Sequence, residues 1–195
     1  MTREERREAN RRRIFEAAWQ TVERDGAASV TIRQVATDVG YSAPVVYQHF
    51  ANKEALLGEV MREGYAHLHA HLDAAAAASG PAGAIYAIGR AYLGFAERNP
   101  HLYRLMNGLA GVTLDPGARH AAAGPVIAVT NGAIEAWARA TGVPLPDMAL
   151  ACDLVWGVVH GMTGLGQLDD IGFDRARLLA DQALHALTLS WATKE

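Results

Sequence analysis

One cysteine, Cys152, stands in 195 residues, which excludes an internal disulfide and any zinc site built on several thiolates. Long apolar runs are missing too. The longest stretches without a charge, such as 154–168, span about 15 residues and include Gly and His, short of the ~20 apolar residues of a membrane-spanning helix. The first residues are charged and hold no apolar segment of the kind a secretory signal needs, so a cytoplasmic location is expected. No segment alternates apolar and polar residues over strand length. There is no repeat, and no low-complexity stretch beyond the alanines at 74–78.

What remains is an ordinary globular composition, 50% hydrophobic and 20% charged, in a chain long enough to bury roughly 70% of its unfolded surface. The net charge of −3 hides an asymmetry. Residues 1–53 carry nine Lys/Arg against seven Asp/Glu, whereas 54–195 carry nine against fourteen. A basic end on an acidic body implies that the first quarter of the chain is the part that meets a polyanion.

The chain reads as helices cut by turn residues. Ile14, Ala17, Ala18 and Val22 form one apolar face of a first helix, about 4–24, closed by Asp25-Gly26. Thr31 caps a second helix, with Gln34 three residues on as the partner of a capping box. Gly40 stops it. Ser42 caps a short third helix, 43–49, with Pro44 in its first turn. Asn52 caps a fourth, with the stripe Leu56, Leu57, Val60, Met61, Tyr65 (or Gly64), Leu68, Leu72. Five more follow at about 82–98, 100–109, 117–141, 147–165 and 174–192, with Gly124-Pro125 expected to kink or split the third of these.

The informative stretch is Thr31 to Phe50: a short helix, a Gly-centred turn and a second short helix, the helix-turn-helix layout. Many all-α proteins contain two short helices and a turn, so the side chains decide. Spacing turns Val35, Ala36, Val39, Val46 and Phe50 inward. Ala43, Pro44, Val45, Tyr47, Gln48 and His49 are left outward, an odd set for a solvated face but suited to thymine methyls, an adenine edge and phosphates. Arg33 is long enough to reach guanine, and Lys53 adds a cation at the start of the next helix. With the cap residues Thr31 and Ser42, these form the expected DNA-contact set. The run Arg3, Arg6, Arg7, Arg11, Arg12, Arg13, broken by Glu4, Glu5 and Glu8, reads either as an arm along DNA or as a solvated, paired helix start.

Ile14, Ala17, Ala18, Gly26, Thr31, Val35, Ala36, Gly40, Ser42 and the run Val46, Tyr47, His49, Phe50, Lys53, Leu56 together resemble the N-terminal domain of the TetR (tetracycline-repressor-like) family of bacterial regulators, over about residues 10–57. The resemblance implies an all-α protein: a three-helix N-terminal DNA-binding domain plus a helical ligand-binding and dimerisation domain, about nine helices in all. It implies that Arg33 reads a base, that Pro44, Val45 and Tyr47 touch methyls or backbone, and that His49 and Lys53 hold phosphates. Val45 stands where the family often has Thr, and Ala43 where a polar residue is common. Direct readout by the third helix is therefore expected to be thin, with more weight on Arg33, Gln48 and DNA shape.

Asn99 to Met106 and Val155 to Gly161 resemble a C-terminal domain type of the same family, named for a Trp-His-Gly signature, which implies that the last two helices form a dimer bundle. The residues agree. Gly157, Gly161 and Gly164 share a helix face, and Leu178, Leu179, Ala183, Ala186, Leu187 and Trp191 on the last helix supply apolar surface beyond what one side needs, with Leu179, Ala183 and Leu187 taken as its dimer contacts. Aromatic residues on the middle helices read as plain core or as an apolar effector pocket. The resemblance favours the pocket, with Tyr92, Phe95, Tyr103, Met106, Trp137, Trp156 and His160 as candidate lining.

Other features carry less. His67 and His71 share a helix face with Glu63, but no third firm ligand completes a metal site. His160 has no nucleophile beside it in sequence and forms no triad. Gly161 to Gly166 precedes no strand, so it is no phosphate cradle. Cys152 reads as inert core. The expectation is a homodimeric repressor, with a DNA-binding domain at 1–53 and a ligand-binding and dimerisation domain at 54–195. A small hydrophobic ligand would release it from a palindromic operator, with the helix after Asn52 as lever. No cofactor, metal or membrane is expected. The alternatives are a constitutive regulator, an activator and, last, a helical enzyme.

Overall fold

In the computed structural model, which describes residues 2–145 and 147–193, Thr2 opens helix α1 (Arg3–Asp25) with a full capping box. Its hydroxyl accepts from Glu5 N–H at 3.1 Å, and the Glu5 carboxylate accepts from Thr2 N–H at 2.8 Å. Gly26, with φ 83°, ends the helix where a side chain would be strained. The order continues as α2 (Ile32–Asp38), α3 (Ala43–Tyr47), α4 (Lys53–Ser79), α5 (Ala84–Arg98), α6 (Pro100–Met106), α7 (Pro116–Thr141), α8 (Met148–Gly166) and α9 (Gly172–Ala192). Short 3-10 turns lie at Ala27–Ser29 and Pro81–Gly83. The described residues thus form nine α-helices and no strand, as expected.

Two caps differ from expectation for local reasons. At Thr31 only half of a capping box forms. Gln34 N–H donates to the Thr31 hydroxyl at 3.2 Å, but the Gln34 amide turns forward to Asp38 at 2.7 Å. Ser42 sits at the N-cap of α3 without a side-chain cap bond. An N-cap hydroxyl serves the second or third helical N–H. Here the second is Pro44, which has none, and the third, Val45 N–H, already donates to the Ser42 carbonyl at 3.0 Å. Helix α3 also stops at Tyr47, so Gln48 and His49 lie in the turn that follows. The Asn52 cap is as expected, its side chain accepting from Ala55 N–H at 2.7 Å. Helix α7 runs unbroken through Pro125, since the residue before it, Gly124, has no Cβ to clash with the proline ring.

The described chain forms two compact units. The first comprises residues up to Tyr65 together with Asn99–Ala122. The motif ends near 53, but packing carries this unit further. Gly64 lets α6 approach α4 so closely that a Cβ there would lie 2.9 Å from Leu102 Cδ1 and Met106 Sδ. Tyr65 then donates its hydroxyl to the Met106 carbonyl at 3.0 Å. Ile14, Ala18, Val22, Val35, Val46, Leu56, Leu57 and Met61 complete this core.

The second unit comprises Ala66–Arg98 and the residues from Ala123 onward. Within it α5, α8 and α9 pack together around Ile85, Leu93, Val155, Ala176, Ala180 and Leu184. Tyr86 and Thr188 join α5 to α9 by a 2.8 Å hydrogen bond, Arg90 pairs with Asp181, and Arg177 pairs with Glu97. Helix α8 corrects one expectation. By length and composition it could cross a membrane, with mean hydropathy 1.4 and only 28% of the window buried. Counting the run between Asp153 and Asp169 missed the apolar residues before Asp153.

Two glycines in helix interiors separate propensity from packing. Replacing Gly by Ala gains about 0.5–1 kcal/mol in an open helix, whereas overfilling a core costs about 1–3 kcal/mol. Gly132 has nothing within 4 Å of its would-be Cβ, so Gly132→Ala should raise the unfolding free energy and Gly64→Ala should lower it by about 1 kcal/mol, as read from denaturant melts. A stabilised Gly64→Ala variant would contradict the close α4–α6 approach.

Candidate nucleic-acid interface and effector pocket

The turn between α2 and α3 is closed by Tyr41 N–H donating to the Ala36 carbonyl at 2.8 Å, past Gly40 at φ 72°. It buries Val35, Ala36, Val39, Val46 and Phe50, the set read from spacing. Pro44, Tyr47 and Gln48 stand exposed, and Ala43, Val45 and His49 are half-buried beside them. Tyr47 is 53% exposed, much for an aromatic on so short a helix. Thr31 and Arg33 are exposed at the start of α2, and Ser42 keeps an uncommitted hydroxyl at the start of α3. Lys53 has a structural duty as well, donating to the Ala28 carbonyl at 3.1 Å and tying the start of α4 to the turn after α1.

The arginine run of α1 divides by face. It is helical from Arg3, not an extended arm. Arg11 donates to the His49 carbonyl at 2.9 Å, pairs with Glu59, and lies 4.4 Å over the Phe50 ring. Arg13 donates to the Tyr41 hydroxyl at 2.8 Å and to the Val39 carbonyl at 3.0 Å, and Tyr41 in turn donates to Asn10. Arg12 pairs with Glu16 on the outer face. Sequence reasoning missed Asn10, Arg11, Arg13, Tyr41 and Glu59 as positioning groups. The available signal was cations one helix away from Tyr41 and Phe50, a pairing that stacking favours. His49 is held below the usual imidazole range by burial first, then by Arg7 and Arg11.

In the second unit, Leu72, Ile88, Tyr92, Thr130, Val155, Trp156 and Val159 surround a cavity of about 10 Å³, no larger than a single water requires. Tyr92 meets Trp156 edge-on at 5.3 Å and His160 at 5.2 Å, with its hydroxyl 3.4 Å from the imidazole nitrogens. Burial pushes the His160 imidazole below its ordinary range. Of the residues expected to line a pocket, the structure brings together Tyr92, Trp156 and His160. Trp137 instead packs edge-on against Trp191 at 5.7 Å, Phe95 is buried on α5, and Tyr103 and Met106 belong to the core of the first unit.

Along α8, Leu150, Leu154, Gly157, Gly161, Gly164 and, just beyond, Leu168 are all exposed on one face, and nothing approaches within 4 Å of where the three glycines would carry a Cβ. On α9 the outward apolar residues are Leu178, 69% exposed, and Leu189, 51% exposed. Leu179, Ala183 and Leu187, expected there, are half-buried one position round the helix. His71 accepts from Arg98 at 2.8 Å through Nε2, which occupies a nitrogen that a metal would need. No metal-capable group of three lies among the described residues. Cys152 is buried, and burial raises its thiol.

Comparison with known proteins agrees with this geometry. Residues 14–60 match the family described as bacterial regulatory proteins, tetR family, and residues 85–187 match the tetracyclin repressor-like C-terminal domain. No curated protein matches the chain. Among solved structures, a protein of unknown function from Rhodococcus sp. RHA1 superposes with TM-score 0.78 at 24% identity, covering 94% of this chain and 95% of that one. The regulator FadR of Bacillus subtilis, in complex with stearoyl-CoA, gives 0.70 at 14% identity over 90% and 96%. RolR in complex with resorcinol gives 0.70 at 16% identity over 99% and 97%. At such identities these likenesses establish the fold.

The buried imidazole makes stability depend on pH. Burial holds the folded pKa of His160 below the ordinary imidazole value of about 6.5, so the unfolded chain takes up its proton first as pH falls. The stability it contributes is complete above about pH 6.5 and is lost as pH drops from there through the folded pKa. His49 and His71, also held low, act in the same direction. Thermal melts from pH 7.5 to 5 should show a falling midpoint, with a shallower slope in His160→Asn. An equal slope in that variant would mean that His160 titrates normally in the native state.

Proposed function

Because the chain belongs to the TetR family of DNA-binding bacterial regulators, which are not enzymes, we propose that it is a homodimeric repressor that leaves a palindromic operator when a small hydrophobic ligand enters its second unit. The observation that carries the DNA reading is the outward face of α3 and the turn after it, where Pro44, Tyr47 and Gln48 stand exposed with Val45 half-buried beside them. Arg33 reads a base from α2. Ser42, His49 and the remaining donors of Lys53 hold phosphates, and Thr31 contributes its position at the start of α2. Such a protein acts in the cytoplasm, where the chromosome is.

The dimer reading rests on the exposed face of α8, where glycines leave room for another helix, continued by Leu178 and Leu189 of α9. Two copies place their α3 helices in successive major grooves about one helical turn apart. The effector reading rests on Tyr92, Trp156 and His160. Trp156 and Tyr92 line an apolar wall, with His160, the other residue of the signature likeness, packed against both of them. Such a wall suits an acyl chain or a phenol better than an ion. Helix α4, which begins at the Asn52 cap and carries Leu72 of the cavity wall, is the proposed lever. A constitutive regulator is the second reading, and the near-filled cavity of about 10 Å³ favours it.

Duplexes selected by the protein from a randomised pool separate these readings when binding is measured with and without resorcinol or stearoyl-CoA, the ligands of the two structural neighbours, as first probes. Tyr47→Ala should weaken binding with an unchanged melt. Arg33→Ala should relax preference at one base pair by ~1–3 kcal/mol if its contact is bidentate. Unchanged affinity and unchanged sequence preference in both would remove the assignment of α2 and α3. At Gly161, where the monomer has open space, Gly161→Glu should sediment as a folded monomer. A dimer that survives this change has its interface elsewhere.

A further inference from the structure

We propose that the first two turns of α1 form a second phosphate-contacting surface, a basic groove continuous with the carboxyl end of α3, which holds the DNA backbone beside the bases that α3 reads. The proposal rests on the DNA-binding reading and adds a surface to it. The groove measures about 940 Å³ and is lined by Arg3, Arg6, Arg7 and Arg11 on the α1 side and by Gln48 and His49 on the other. Glu4 and Glu8 also line it, so its formal charge is positive by two. Arg11 is committed to Glu59 and the His49 carbonyl. Arg3, Arg6 and Arg7 have no carboxylate partner among the described residues.

Helix stability does not explain Arg3 and Arg6. The first turn of a helix favours acidic residues, which Glu4 and Glu5 supply, and disfavours arginine. Their placement instead extends a surface that already ends in His49, which feels Arg7 electrostatically. Because Arg11 fastens α1 to the end of α3, the groove has a fixed position relative to the reading face. It is an open channel along a helix rather than an enclosed hole, which fits a strand of phosphates better than a single small anion.

Binding to a duplex selected by the wild-type protein, measured from 50 to 200 mM salt, tests this. The triple variant Arg3→Ala/Arg6→Ala/Arg7→Ala should keep the wild-type helix content, melt and sequence preference. It should lose about 0.9 from the slope of log K against log salt for each phosphate contact removed, and bind about tenfold or more weakly at the lowest salt. Arg12→Ala, which removes a charge on another face of the same helix, should leave the slope near wild type. An unchanged slope in the triple variant, or an equal loss per arginine in Arg12→Ala, overturns the surface while leaving α3 as the reader. A wild-type chain that selects no duplex overturns the DNA reading and this surface with it.

Discussion

A helix of five residues cannot hold itself together in water, because nucleation consumes nearly all that so few backbone hydrogen bonds return. Helix α3 is such a helix, and its existence depends on what grips its two ends. Arg11 does most of this at the carboxyl end. One guanidinium accepts no bonds but donates to the His49 carbonyl, lies over Phe50 and pairs with Glu59 of α4. Arg13 does the same for the turn before α3 through Tyr41 and Val39. A planar fork that donates and stacks at once is what arginine offers and lysine does not. The apolar residues of α3 can therefore face outward, because the helix is not relying on that face for its stability.

This division of labour explains what could be read from residues alone. The helices were legible because their apolar stripes recur at helical spacing and their ends carry Thr, Asn, Gly or Pro. The inward face of the motif was legible for the same reason. Which arginine of the run at positions 3–13 turns inward was not, because it depends on residues such as His49 and Glu59 that lie dozens of positions away. The missing Ser42 cap could have been foreseen, since Pro44 removes one donor, but the competing bond from Val45 to the Ser42 carbonyl is visible only with the backbone in place. Gly64 was ambiguous as a stripe position, and its role emerges only when Leu102 and Met106 are seen against it.

The second unit was less legible because its chemistry is uniform. Aromatic and aliphatic residues at helical spacing look alike whether they fill a core or line a pocket. Tyr103 and Met106 belong to a different unit from Tyr92, a division set by packing around α4 rather than by any motif. On α9 the adjacent Leu178 and Leu179 point about 100° apart round the helix, and of the two only Leu178 is exposed. Sequence spacing could identify apolar surplus there without fixing which residues bear it outward.

The small cavity is compatible with an effector on energetic grounds. Parting Tyr92 from Trp156 forfeits an edge-on aromatic contact, worth about 0.5–1.5 kcal/mol. Against that, a ligand that hides about 150 Å² of apolar surface gains roughly 4 kcal/mol at the usual coefficient. Even after the further loss of ligand freedom, an apolar molecule of modest size can stabilise an opened form that is rare without it. A charged ligand would have to give up its hydration against a wall of Leu72, Ile88, Val155, Trp156 and Val159, where only Tyr92 and Thr130 carry a hydroxyl. Under the proposed effector reading, a cavity this small and apolar favours uncharged occupants, with the Tyr92 hydroxyl as a polar handle on its wall.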